Sequence, residues 1–208
     1  MGIRTIAKVA GAIVLAGTWG ATTADAQMQA APAWGVDVPH SAVGFKVRHF
    51  FTPVRGEFQE YDIQLRYDPE HPERSSVRVE ISVASVNTDN QRRDNHLQTP
   101  DFFDAEQWPH IAFQSTSVRQ VADGQLVAVG ELTIKDVTRT IELPIAVLGV
   151  MELPPEMQER MGTSHVGSFE ATLTIDRRDF GVGTGSWAET AIVGADVEIE
   201  ILVEAKRQ

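Results

Sequence analysis

The chain has 208 residues, a formal net charge of −11 and no cysteine. Its acidity argues against nucleic acid as a partner, because like charges repel the phosphate backbone, and it argues equally against electrostatic docking onto anionic lipid surfaces. The absence of thiols excludes disulfides, thiolate metal sites and a cysteine nucleophile.

The first 26 residues have the pattern of a secretory signal peptide. Arg4 and Lys8 precede an apolar run, and Ala24, Asp25 and Ala26 form a small-x-small cleavage site. A membrane anchor is the alternative, but the run is well short of the roughly 20 apolar residues that span a bilayer. We therefore predict cleavage after Ala26, export to the periplasm, and one mature domain over residues 27–208 without stable membrane insertion.

Apolar and polar residues alternate with a period of two through most of the mature chain. The alternating segments begin near Val43, Tyr61, Val77, Ile111, Leu126, Ile141, Phe169 and Val197. Such alternation is typical of antiparallel strands with one buried face, and turn signals such as Asp123-Gly124 separate the segments. We predict an all-β fold, a single closed antiparallel β-barrel of about eight strands.

Two places depart from simple strand alternation. The parity of the inward residues changes between Phe58 and Tyr61, which predicts a bulge that bends the strand around a barrel corner. Residues 151–165, "MELPPEMQERMGTSH", are predicted to form a long loop.

The segment "DNQRRDNHLQTPDFFDAEQ", residues 89–107, interrupts the strands. Asp89 is a suitable cap for a helix that ends near Leu97, and Pro100 suits the first turn of a second short helix that carries Phe102 and Phe103. An aromatic-bearing helical insertion between two barrel strands is expected to lie over one open end. We therefore predict that it caps the mouth of the barrel.

Small residues in the middle of the inward rows bear on the barrel interior. Ala128 and Gly130 lie between larger residues in one segment, and Ala171 lies between Phe169 and Leu173 in another. Small residues at mid-barrel predict unfilled volume, which is costly unless a ligand occupies it. The alternative is that they fit the taper of a filled barrel.

Several motifs resemble, in order, the signatures of the YceI-like family. They are "WGVDVPHSAVGFKVRHF", "VRGEFQEYDIQL", "SVNTDNQRRDNHLQTPDFFDAEQWPHIAFQSTSV", "GELTIKDVTRTIELPIAVLG", "DRRDFGVG" and "VGADVEIEILVEA". The resemblance runs from about Trp34 to Ala205. It implies an exported, lipocalin-like barrel that holds a polyisoprenoid or another long amphiphile in an elongated internal pocket, with the helical insertion beside the mouth.

These observations together predict a set of ligand-binding residues. The predicted apolar pocket consists of Val43, Phe45, Val47, His49, Phe58, Ile81, Phe102, Phe103, Trp108, Phe113, Ala128, Gly130, Leu132, Leu143, Phe169, Ala171 and Leu173. A hydrogen-bonded core histidine is an equally good interpretation of His49. We predict that Arg92, Arg93 and His96 receive the head group of the ligand, the alternative being a solvated helix surface.

The remaining polar residues give little sign of catalysis. Asp37 and His40 lack a third ligand of suitable spacing, so no metal site is predicted. Residues 176–179, "DRRD", are expected to form a charged surface turn with local salt bridges.

We therefore predict no catalytic residues and no cofactor other than a bound isoprenoid lipid or quinone. The predicted function is lipid transport, storage or sequestration. The rivals are an enzyme or stress-response accessory that acts on a bound isoprenoid quinone, and a filled barrel without ligand. The sequence leaves open whether the chain forms a homodimer.

Overall fold

The structure, a computed structural model, describes residues 30–208, so the predicted signal peptide lies outside the described residues. The strands are β1 Ala33–Val36, β2 Ala42–His49, β3 Thr52–Phe58, β4 Tyr61–Arg66, β5 Ser76–Ser82, β6 Val86–Asn87, β7 His110–Ala122, β8 Gln125–Ile134, β9 Val137–Glu152, β10 His165–Asp176 and β11 Val193–Arg207. The α-helices are α1 Gln91–Leu97 and α2 Pro155–Met161. Short 3-10 turns join several of the strands.

The strands form one closed antiparallel barrel. Strand β1 pairs with both β4 and β11, which joins the two sides of the sheet. Strands β1 and β2, β3 and β4, and β5 and β6 are each two halves of one interrupted strand, because both halves pair with the halves of the same neighbour. With these three interrupted strands the barrel has eight strand positions, and the predicted fold class is confirmed.

The predicted bulge after Phe58 is an interruption between β3 and β4. The backbone N–H of Gln59 donates to the carbonyl oxygen of Ser85 at 3.1 Å, and the N–H of Glu60 is bonded to the Ser85 hydroxyl at 3.0 Å. Ser85 lies in the matching interruption between β5 and β6. Two neighbouring strands therefore break at the same level, and the side chain and backbone of Ser85 replace the lost ladder bonds.

The insertion at residues 89–107 contains one α-helix, whereas the sequence predicts two. Helix α1 is capped by Asn90, whose side chain accepts from the N–H of Arg93 at 3.1 Å. Asp89, the predicted cap, has a positive φ of 58° and precedes the cap. The segment after Pro100 forms turns instead of a second helix.

The predicted loop at residues 151–165 contains helix α2. Pro155 begins this helix, and Gly162 ends it with a φ of 62°. Proline in the first turn and glycine after the last are the usual signals for a short helix, so the sequence carried the information. Helix α2 lies at the barrel end opposite to α1, since it joins the end of β9 to the start of β10.

Candidate ligand channel

A large cavity, here called the upper cavity, occupies the barrel half nearest α1. It encloses about 1140 Å³ of space free of atoms, including the part that opens to solvent. Its walls include most of the predicted pocket residues: Val43, Phe45, Val47, Phe58, Ile81, Phe102, Phe103, Phe113, Leu132, Leu143 and Leu173. The inward rows of the strands thus meet around one apolar space.

A second cavity, the lower cavity, follows toward the far end and has about 620 Å³ of space free of atoms, including the part that opens to solvent. Phe169 and Ala171 lie in its wall, as do several polar groups at its edge such as Arg66 and Glu170. The two cavities share Val79, Leu143 and Ile201, which form the waist between them. They therefore adjoin end to end along the barrel interior, and together they are called the channel.

The channel is long compared with a single lipid leaflet. Val193 lies in the wall of the upper cavity and Val203 in the wall of the lower cavity, both on β11. These positions are roughly 33 Å apart along an extended strand, or about 25 Å along the axis at the usual strand tilt of about 40°. One leaflet of a bilayer contributes only about 15 Å of hydrocarbon.

An aromatic cluster closes the far end of the channel. Trp34 is buried and donates its indole N–H to the carbonyl oxygen of Tyr67 at 2.9 Å. The rings of Trp34 and Tyr67 both meet the edge or face of Phe169, with centroid distances of 6.4 and 5.1 Å. The Arg207 guanidinium lies 5.5 Å from the Trp34 ring centre. Neither Trp34 nor Tyr67 is among the predicted pocket residues.

The insertion covers the mouth, as predicted. The ring of Phe102 is buried and lies 5.1 Å from the His96 ring and 5.6 Å from the Trp187 ring. The backbone N–H of Thr184 donates to the carbonyl oxygen of Asp101 at 2.8 Å, which joins the insertion to the segment before β11. Sequence reasoning missed Trp187, because its segment has no alternation that points to the mouth.

Arg177 corrects the prediction of a solvated turn at residues 176–179. It is only 4% exposed, and its guanidinium reaches the wall of the upper cavity. Its N–H groups donate to the carbonyl oxygens of four residues at 2.6 to 3.0 Å, namely Val182, Trp187, Val193 and Gly194. Burial lowers the pKa of Arg177, but the carbonyls solvate the charge, so this residue fixes the segment that faces α1.

The neighbouring pair in that turn is the surface salt bridge that the sequence predicts. Arg178 donates to both carboxylate oxygens of Asp176, with the Nε to Oδ1 distance at 2.9 Å. The side-chain hydrogen bond from Arg178 lowers the pKa of Asp176 to about 2 from an ordinary value of 3.8. Asp176 also caps the 3-10 turn by accepting from the Arg178 backbone N–H.

A polar vestibule lies outside the upper cavity and is continuous with it. The two share Phe45, Val47, Leu97, Phe102 and Val193, and the vestibule has about 1130 Å³ of empty space. Its remaining walls are mainly polar: Arg48, His49, Val54, Thr88, Asn90, Arg92, Arg93, His96 and Trp187. They contain three arginines, two histidines and no carboxylate, in a protein whose net charge is −11.

The three predicted head-group residues all lie in the vestibule wall but differ in their contacts. Arg93 donates to the hydroxyl and the carbonyl oxygen of Thr88, both at 2.7 Å. His96 is hydrogen-bonded to the Asp101 carboxylate at 2.9 Å. Arg92 is exposed, and within residues 30–208 its side chain has no hydrogen bond or ion pair. Arg92 is thus the most available cation for an anionic group.

His49 lies in this vestibule and not inside the barrel. It is exposed at the end of β2, where its ring meets the edge of Phe50 at 4.8 Å. The inward-facing row of β2 extends beyond the end of the barrel wall. A residue with the alternation of an inward position can therefore lie outside the core. Neither interpretation offered by the sequence, a pocket interior or a buried core histidine, describes its position.

Besides His49, three predicted pocket residues lie outside the walls of both cavities: Gly130, Ala128 and Trp108. A Cβ atom at Gly130 would come within 2.7 Å of the Phe113 ring, so this aromatic side chain already fills the space that glycine leaves. Ala128 is completely buried, at 0% exposure. Trp108 is half-buried in the turns after α1. The unfilled volume expected at Ala128 and Gly130 is therefore absent there, and among the predicted small residues Ala171 alone borders the channel.

Asp37 and His40 do acquire a third possible ligand, Glu204, which the sequence prediction did not find. Glu204 lies 3.8 Å from His40 Nδ1, and Asp37 Oδ2 lies 2.9 Å from the same nitrogen. The Lys206 ammonium contacts Asp37 at 2.5 Å, and these hydrogen bonds lower the pKa of Asp37 and raise that of His40. Lys206 already pairs with Asp37, and His40 lies between Asp37 and Glu204, so an ion-pair network explains the cluster.

Within residues 30–208, neither α-helix has the length and apolar character needed to cross a bilayer. The two α-helices each contain seven residues.

Known proteins are similar to this chain in sequence and in fold. Residues 34–205 match the family described as YceI-like domain. A UPF0312 protein of Photorhabdus laumondii is 31% identical over 166 residues, which cover 78% of this chain and 82% of the relative. Among solved structures, BcnA of Burkholderia cenocepacia has a TM-score of 0.72 at 27% identity and covers 81% of this chain and 98% of its own.

A more distant solved structure has the same fold. It is described as a polyisoprenoid binding domain from Saccharophagus degradans, with a TM-score of 0.59 at 12% identity. The superposition covers 84% of this chain and 98% of that domain. At this identity the likeness concerns the fold.

Proposed function

We propose that this chain, which belongs to the YceI-like family, holds a polyisoprenoid or similar long-chain amphiphile inside its barrel. The observation that carries the proposal is the pair of adjoining apolar cavities, upper and lower, that follow each other along the barrel interior. The description of a domain with the same fold as polyisoprenoid-binding supports it. Transport, storage or sequestration of the lipid in the periplasm is the corresponding role.

The energetics favour a long ligand. At about 0.3 kcal/mol per heavy atom, a tail of roughly forty carbons reaches on the order of 12 kcal/mol, which is near-nanomolar affinity. A tail of about sixteen carbons stops near 5 kcal/mol by the same estimate. Because the channel is longer than one leaflet, a long isoprenoid buries more of its surface there than an ordinary acyl chain would.

The ends of the channel give the ligand a direction. The far end is closed by Trp34 and Tyr67, whereas the mouth opens into the vestibule with Arg92 and His96 in its wall. The tail therefore enters from the vestibule and the polar head remains there. Cations with free hydrogen-bond donors favour a head group that carries a phosphate, another anion or a hydroxyl group.

Binding explains the polar groups in the channel better than catalysis does. Arg177 is the titratable group in the wall of the upper cavity, and backbone carbonyls engage its guanidinium. Proton transfer needs a donor or acceptor positioned against the reacting atoms. Chemistry on a bound isoprenoid quinone is the alternative, and its products distinguish it.

Mass spectrometry of lipids extracted from natively purified protein tests the proposal. A carrier should release one defined class of long-chain lipid at up to about one molecule per chain. Release of a substrate together with its product would support the enzyme alternative, and protein free of lipid after expression in several hosts would contradict the proposal. Intact mass of the exported protein tests the proposed maturation, which leaves Gln27 as the first residue.

A further inference from the structure

The mouth of the channel carries exposed apolar side chains beside its vestibule. Phe51, at the tip of the β2–β3 hairpin, is 93% exposed, and Phe50 and Ile192 are also exposed. The backbone N–H of Phe50 donates to the carbonyl oxygen of Ile192 at 2.7 Å, so these residues form one rim. Phe50 has a φ of 50°, a conformation that bulky residues rarely adopt.

Cations lie directly beside this apolar rim. Arg48 donates to the carbonyl oxygens of Phe50 and Thr190, and it lies in the vestibule wall together with Arg92 and Arg93. The acidic residues on the same segments are Asp89, Asp94, Asp101 and Glu189, and Asp94 is buried and accepts from Thr88. Of these, Asp101 faces His96, and none lies in the vestibule wall.

We propose that this mouth surface, defined as Phe50, Phe51, Ile192, Arg48 and Arg92, docks onto anionic lipid bilayers. Aromatic side chains next to arginines suit the boundary between head groups and acyl chains. The surface surrounds the opening of the apolar channel, so a docked barrel would pass a lipid tail between membrane and channel without exposing it to water. The passage of a lipid tail between membrane and channel rests on the proposed function, whereas docking can be measured by itself.

The overall acidity of the chain does not oppose local docking. Exposed charges are screened beyond a Debye length of about 8 Å at physiological salt, so a membrane in contact with the mouth interacts mainly with the charges there. The net charge of −11 is a sum over the whole chain and does not give the charge at the mouth. The structure places cations and aromatic residues together at one end, so the expectation of no anionic-surface docking does not hold for this end.

Vesicle flotation of the mature chain tests the proposal. We expect the protein to float with phosphatidylglycerol-containing vesicles and to bind phosphatidylcholine vesicles more weakly. Phe51→Ser should weaken binding about tenfold. Arg92→Glu should weaken binding to anionic vesicles by about 25-fold, because each unit of charge near such a surface contributes about fivefold.

Matched substitutions at the opposite end are the controls. Leu148 is 59% exposed near the end of β9, and Arg160 is exposed on α2. Leu148→Ser and Arg160→Glu change the same chemistry far from the mouth and should bind vesicles within about twofold of the unchanged protein. Because the sequence has no cysteine, Thr52→Cys accepts a single environment-sensitive dye. Its emission should shift to the blue on docking, whereas dye at Leu148→Cys should not respond.

Failure to bind anionic vesicles, or equal losses for mouth and far-end variants, would overturn the docking proposal. Lipid extracted from the Phe51→Ser protein separates this result from a failure of lipid binding, because Phe51 lies outside the walls of both cavities and of the vestibule. Retained lipid without vesicle docking leaves the proposed function intact and overturns docking alone. Vesicle docking by a protein that never contains lipid would support docking and contradict the proposed function.

Discussion

Replacing Ala171 and Ala128 by phenylalanine, one at a time, tests where the channel runs. Both alanines are buried on inward rows, in β10 and β8 respectively. Ala171 borders the lower cavity, whereas Ala128 borders neither cavity. The same new ring therefore meets open space at one position and packed atoms at the other.

The two substitutions should change stability in opposite directions. Ala128→Phe overpacks the core, which typically costs about 1–3 kcal/mol. Ala171→Phe buries a ring in apolar space, worth about 1–2 kcal/mol after part of the 1.5–3 kcal/mol burial gain is lost to side-chain ordering. The free energies of unfolding of the two variants should thus differ by about 2–5 kcal/mol. For a domain of this size the melting temperatures should differ by roughly 4–20 °C.

The substitution that fills the cavity, Ala171→Phe, should also weaken lipid binding. The ring at Ala171 occupies the space of about six tail carbons, so an isoprenoid alcohol long enough to fill the channel should bind about 20- to 30-fold more weakly. Thermal melting of delipidated protein and titration with that alcohol provide the two measurements. If Ala171→Phe melts as low as Ala128→Phe, or binds the alcohol with full affinity, Ala171 does not border an open ligand channel.

Three further predictions concern the mouth and its supporting turn. Arg177→Met should lower the free energy of unfolding by at least about 3 kcal/mol, or roughly 6–12 °C in melting temperature, because several charge-assisted hydrogen bonds to buried carbonyls are lost; a loss below about 1 kcal/mol would contradict the clamp role. Asp176 has a pKa lowered to about 2, so its contribution to stability is present above pH 3.8 and is lost as the pH falls toward 2. Asp176→Asn, which keeps a cap acceptor, should therefore lower the urea midpoint at pH 7 but not at pH 2, and an equal deficit at both would refute the ionic origin. Replacing Arg92, Arg93 and His96 together by alanine should weaken binding of a polyprenyl phosphate more than that of the neutral alcohol, and equal losses would leave a solvated helix surface as the better interpretation.

The strand content and the position of the insertion could be predicted from local sequence. Alternation of period two fixes which side chains of a strand share a face, whatever its neighbours are. Phe45, Phe58 and Leu132 therefore line the upper cavity as their parity indicates. The insertion between β6 and β7 leaves the sheet because its residues have helical spacing instead of strand alternation. Its capping residue starts helix α1.

The contents of the interior were decided by tertiary structure, because they depend on which residues face each other across strands. Gly130 predicts a void by itself, yet the ring of Phe113 on the neighbouring strand fills it. Arg177 lies in a charged segment that is typical of a surface turn, yet backbone carbonyls at and before the start of β11 surround its guanidinium. Local pattern determines the direction in which a side chain points, whereas the register and packing of distant segments determine whether it meets solvent, a partner or empty space.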